Sequence, residues 1–206
     1  IKSLCGVVVT YVSVAENHCL ALSDCGDLYA WGSSKYGQLG VGVGAEKETS
    51  RSSPILIKAL KKHRILGCAA GEKHSVAFND QGDLWAWGSN ERGQLGHKGG
   101  SVTGLVYSPK QLWVGQNKQA STKILQVCAS VYSTLLLRES REDGYPSRHP
   151  PYSNGSLNRQ RSEVFQWGHG NHVPMRVTFS AGRAHMTSSP LLSDEHSTPS
   201  SIRACT

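Results

Sequence analysis

Short alternating runs separated by glycine turns recur along this chain, with no helical period. Val76 and Phe78 alternate with Ser75 and Ala77, the period-two pattern of a strand. Asn79-Asp80-Gln81-Gly82 then reads as a hairpin turn, with Gly82 in the left-handed conformation that side chains resist. Asp83-Leu84-Trp85-Ala86-Trp87 is the return strand; its aromatic and small residues predict packing on both faces. Gly88 ends it, Ser89-Asn90-Glu91-Arg92 forms a polar loop, and Gly93-Gln94-Leu95-Gly96 turns the chain again.

The same pattern stands 56 residues earlier, where GDLYAWGSSKYGQLG (26–40) matches GDLWAWGSNERGQLG (82–96). The first copy supplies Gly26, Trp31, Gly32, Gly37, Leu39 and Gly40; the second supplies Gly82, Trp87, Gly88, Gly93, Leu95 and Gly96. A third, degenerate copy starts at Val127-Cys128-Ala129 and Ser133–Leu137 and resumes at Glu163–Gly168, ending in Trp167-Gly168. Self-similarity at a long fixed period marks a repeat architecture, and the recurring residues are first of all structural. Apolar stretches before each hairpin, such as Pro54–Ile57 and Ile65–Ala70, bring each repeat to about four strands, one blade of a β-propeller. The expected fold is all-β, a partial propeller of about two and a half four-stranded antiparallel blades.

The order of elements, a small-apolar run, His-Ser, a hairpin Gly, aromatic-x-Trp-Gly and Gly-Gln-Leu-Gly, resembles the regulator of chromosome condensation repeat. The resemblance covers about residues 5–137 and 163–177. It implies four-stranded blades around an axis, usually seven of them. After Trp167-Gly168 the Gly-Gln-Leu-Gly is missing. That shortened repeat resembles those in relatives of the inhibitor of Bruton's tyrosine kinase, in which such repeats accompany ankyrin and BTB domains.

Four segments are expected: repeats one, two and the start of three over 1–137, a disordered insertion over 138–162, the end of repeat three over 163–181, and a Ser/Thr/Pro-rich disordered tail over 182–206. A seven-bladed ring at this spacing needs about 390 residues, so with 206 the chain is expected to be a fragment.

Composition adds little to this picture. The net charge of +7 is dispersed, through Lys58, Lys61, Lys62 and Arg64 and through the insertion, and is not interleaved with aromatics. Nucleic-acid binding is therefore open but not favoured. Six scattered cysteines form no CxxC pair, and Cys68 and Cys128, in apolar runs, read as buried thiols. No apolar run reaches membrane-spanning length and no signal peptide is evident, so the expected location is cytoplasmic or nuclear.

The candidate chemistry reduces to architecture. Gly93–Gly100 lacks the spacing of a phosphate loop, and the repeat explains its glycines. His18 and His74 recur at repeat spacing, which predicts a hydrogen bond within the blade rather than catalysis. His169 and His172 form an H-x-x-H pair without further ligands nearby. Catalytic, cofactor and metal sites are each expected to be none. Residues that differ between copies are the better partner-binding candidates, because loop tips on a rigid scaffold carry recognition. These are Lys35, Tyr36, Glu91 and Arg92, with His169 and Asn171 in the third copy. The expected function is a non-enzymatic protein-interaction scaffold, with a small GTPase, a kinase or a ubiquitin-ligase component as partner. The alternatives that the resemblance implies are nucleotide exchange on a Ran-like GTPase and chromatin association.

Overall fold

A computed structural model describes residues 4–42, 49–97, 104–114, 123–141, 160–180 and 183–187. They form three antiparallel sheets in chain order, and no described residue is in an α-helix. The first sheet holds β1 (Val9–Val14), β2 (His18–Ser23), β3 (Leu28–Ser33) and β4 (Ser50–Leu56). The second holds β5 (Ile65–Ala70), β6 (His74–Asn79), β7 (Leu84–Ser89) and β8 (Leu105–Leu112). The third holds β9 (Lys123–Ala129), β10 (Ser133–Arg141), β11 (Gln160–Gly168), β12 (Asn171–Ser180) and β13 (Arg183–Thr187). These are blades of a partial propeller, and their registers coincide: His18 pairs with Gly32, His74 with Gly88 and Ser133 with Gly168.

Two apolar clusters join the blades. Leu20, Leu28, Ala30 and Leu39 of the first blade pack with Cys68, Ala77, Trp85 and Trp87 of the second. Val76, Phe78, Leu84 and Ala86 of the second pack with Ile124, Leu136, Phe165 and Trp167 of the third. Successive side chains of a strand point to opposite faces, so β6 and β7 serve both clusters by alternation. The predicted two-faced packing of β7 is correct, and all six of its residues are buried.

The two end faces of the array are more exposed than their counterparts between blades. Val14 is 70% exposed, whereas Ala70 at the equivalent register position is 8% exposed. Leu135 is 37% exposed and its counterpart Val76 is fully covered. Cys128 lies on this same outer face and is exposed, which corrects its reading as a buried thiol; Cys68, between two blades, is buried as expected.

The segment limits also need correction. Strands β10 and β11 pair as far as Arg141 with Gln160, so 138–141 and 160–162 are sheet. Arg138 is anchored there: its Nη2 and Nε both lie 2.9 Å from Glu163 Oε2, and its Nη1 donates to the Val114 carbonyl at 2.6 Å. The apolar period fails in this stretch because an ion pair replaces apolar packing. Likewise 183–187 is strand β13, paired with β12. The remainder of the predicted insertion and tail, 142–159, 182 and 188–206, lies outside the described residues.

Candidate functional site

The loops that follow the Trp-Gly ends of β3, β7 and β11 share one end of the blades with the β5–β6 and β9–β10 connections. Each Gly-Gln-Leu-Gly fixes its loop from within. Gln38 Oε1 accepts from the Tyr36 backbone N–H at 2.9 Å, and Gln94 Oε1 accepts from that of Arg92 at 2.8 Å. Gly40 and Gly96 have φ of +68° and lie against the next blade's tryptophan. A Cβ on Gly40 would stand 2.8 Å from Trp87 Nε1, and one on Gly96 would stand 2.9 Å from Trp167 Nε1.

A buried relay crosses each blade boundary. His18 Nε2 lies 2.8 Å from Ser75 Oγ, and Ser75 Oγ donates to the Gln38 carbonyl at 2.9 Å. The Trp87 indole N–H donates to the same carbonyl at 2.8 Å. At the next boundary His74 Nε2 meets Thr134 Oγ1 at 2.9 Å, and Thr134 Oγ1 and Trp167 Nε1 both donate to the Gln94 carbonyl at 2.9 Å. Because each hydroxyl spends its proton on the carbonyl, it accepts from the histidine, which fixes the Nε2–H tautomer. Burial lowers the His18 pKa to about 4; His74, by burial and then the charge of His18, falls to about 3. Both rings are neutral at pH 7 and committed to the joint. The hydrogen bond expected within a blade is thus made between blades.

On this frame the loop tips differ. Lys35, Glu91, Arg92, His169 and Asn171 are exposed and Tyr36 is half-buried. Lys73 Nζ stands 4.8 Å from the Tyr36 ring centroid, and Lys35 Nζ stands 5.5 Å from it. One boundary along, Arg92 lies over Tyr132 at 5.8 Å, and His169 meets the same ring edge-on at 6.1 Å. The Gly170 N–H donates to the Arg92 carbonyl at 2.8 Å, tying the second and third loops together. His169 takes a φ of 51°, a left-handed conformation set at the tip of the turn into β12. The face is therefore a row of cation–aromatic contacts, with Glu72 3.7 Å from Lys73. Partial burial works against the Lys73 charge, but Tyr36, Glu72, Tyr132 and Glu91 outweigh it and hold its pKa above the usual lysine value.

Sequence reasoning named Tyr36 and Arg92 but missed their partners Lys73 and Tyr132. The signal was the position before His18, His74 and Ser133, which carries Asn17, Lys73 and Tyr132 in the three copies. Among the described residues, no three His, Cys, Asp or Glu side chains gather to hold a metal. No helix among them is long and apolar enough to cross a membrane.

Models of the regulator of chromosome condensation (RCC1) repeat match residues 25–78, and, in a second form, 9–38 and 69–94. HERC4 of Mus musculus, a probable E3 ubiquitin-protein ligase, is 42% identical over 96 residues, 47% of this chain and 9% of its own length. The chain thus spans less than a tenth of that relative. Human WBSCR16 superposes with a TM-score of 0.62 at 21% identity, over 85% of this chain and 41% of that one. Prp20p of Saccharomyces cerevisiae gives 0.51 at 20% identity, over 85% and 51%. The repeat models, the coincident registers and the doubled Trp-Gly…Gly-Gln-Leu-Gly agree: residues 9–94 of this chain are RCC1 repeats.

Proposed function

We propose that this chain is a non-enzymatic protein-interaction scaffold, part of a larger adaptor or regulatory protein of the cytoplasm or nucleus. Its partner docks on the loop face through Lys35, Tyr36, Glu91, Arg92, His169 and Asn171. The observation that carries this reading is the exchange of roles along the face. An aromatic from the first blade meets a cation from the second, then a cation from the second meets an aromatic from the third. The frame below repeats and the tips do not, as expected where specificity sits on loops held by a rigid scaffold. Tyr and Arg are also the residue types enriched at interface hot spots. The histidines that recur are absorbed by the blade joints, which leaves them no part in general acid–base work.

Relatives bear on the class of partner. HERC4 is a probable ubiquitin-protein ligase, and Prp20p is described for its binding to Gsp1p and histones. A ubiquitin-ligase component, a small GTPase and a kinase are the partner classes we put forward, ahead of nucleic acid.

The test places a photo-crosslinking amino acid at position 36 or 92, and at Lys58 on the outer rim as control. A partner captured from the face positions, absent at 58 and lost from K35E/R92E protein, is the expected result. Equal capture at all three positions overturns the assignment of the face. Accelerated nucleotide release from a Ran-like GTPase would replace the scaffold with an exchange factor.

A further inference from the structure

Each blade boundary also carries a notch, bordered by the last glycine of Gly-Gln-Leu-Gly, and the two notches differ. The first, about 310 Å³, is lined by Val41, Arg51, Ile55, Leu56 and Lys58 of the first blade and Ser108 of the second. The second, about 350 Å³, is lined by His97, Lys110, Gln111 and Trp113 of the second blade and Val173 and Pro174 of the third. Register makes the two directly comparable. Ile55 pairs with Ala30 as Lys110 pairs with Ala86, and Val41 and His97 both follow the last glycine of Gly-Gln-Leu-Gly. Val41 is thus exchanged for His97, Ile55 for Lys110, and Lys58 for Trp113.

These exchanges work against packing. A half-buried aliphatic pair has become an imidazole beside an ammonium. His97 is only 8% exposed, and its Nε2 is buried with no hydrogen-bond partner. Leaving a buried polar atom unmade is costly, and a repeat that already had an apolar solution has no packing reason to abandon it. Burial, then the charge of Lys110, lowers the His97 pKa, and a hydrogen bond to the Ala86 backbone engages the ring's other nitrogen, which leaves Nε2 as the unpaired one. Gln111 is held by Asp83 at 2.8 Å and is not spare. Lys110 is exposed and is the only charged residue lining the notch among the described residues, while Trp113 is exposed beside Val173 and Pro174.

We infer that the second notch binds an acidic peptide segment of a partner protein: a peptide N–H enters to satisfy His97 Nε2, a carboxylate meets Lys110, and a neighbouring apolar side chain packs on Trp113 and Pro174. The chain's net charge of +7 favours the same sign of ligand. The site uses none of the loop-tip residues and adds a second point of attachment.

The probe is a fluorescein-labelled heptapeptide of alternating leucine and aspartate, titrated into the 206-residue chain at low salt and followed by anisotropy. Saturable binding is expected, at least tenfold tighter than that of the leucine–lysine counterpart. H97V, which restores the residue of the first notch, and K110E should each weaken binding at least fivefold without lowering the unfolding temperature. K58E, the same charge change in the first notch, should leave binding within twofold. The proposal is overturned if no saturable binding occurs, if both peptides bind alike, or if K58E weakens binding as much as K110E.

Discussion

The Lys73 ammonium of the second blade lies 4.8 Å from the centre of the Tyr36 ring of the first. At the next boundary the chemistry is reversed, with Arg92 of the second blade over Tyr132 of the third. The contact is kept and the donor of each half is exchanged, so a row of cations and rings crosses the face while no two adjacent tips are alike.

Such a contact at a partly exposed site contributes about 0.5–1 kcal/mol. A double-mutant cycle with Tyr36→Ala and Lys73→Ala, measured by denaturant unfolding, should therefore give a coupling of that size. A coupling indistinguishable from zero would show that the pair touches without stabilising the joint.

The relay beneath it is worth more. Thr134→Val removes the hydroxyl and leaves His74 Nε2–H without its acceptor. A buried polar group left unpaired costs roughly 1–3 kcal/mol, so unfolding of this variant should shift by that amount. Thr134→Ser, which keeps the hydroxyl, should recover most of it.

Acid should weaken the joints. Both histidines titrate near 6.5 when unfolded, but at about 4 and about 3 when folded. Below 6.5 the unfolded chain takes up protons that the folded chain refuses, so stability is full above that pH and falls toward pH 4. The thermal midpoint followed by circular dichroism should drop across this window. His74→Gln should flatten the decline.

Glycines that share a conformation should differ in what replacement costs. Gly170→Ala meets open space and carries only the strain of φ +95°, roughly 1 kcal/mol. Gly96→Ala adds a Cβ 2.9 Å from the Trp167 ring and should cost clearly more. Equal losses in chemical denaturation would remove the indole from this account.

Thiol reactivity should sort by face. Burial raises the Cys68 pKa to about 12, while Cys5, Cys25 and Cys128 are exposed. Timed alkylation with mass spectrometry should label the exposed three first and reach Cys68 only on unfolding.

The hairpins, the left-handed Gly26 and Gly82, the two-faced β7 and the core tryptophans Trp87 and Trp167 could be read from the sequence, because each follows from local period or from a backbone angle. What crosses between blades could not. The partner of His18 is 57 residues away, and nothing near His18 says that it leaves its own sheet. Cys128 reads as apolar core because its strand alternates correctly, yet exposure depends on whether another blade covers that face. Arg138 reads as disorder because its stabilising partner is Glu163, 25 residues on. The loop-tip candidates came from differences between copies; the same comparison over His97, Lys110 and Trp113 would have exposed the notch.

The direction of the relay has a consequence for how such chains grow. Both described joints draw a histidine and a glutamine carbonyl from one blade and a hydroxyl and an indole from the next. A tandem duplication of residues 26–81 carries one complete set of all four. The inserted cassette would find a matching half-joint upstream and offer one downstream, so the array lengthens in one orientation without any surface having to be invented.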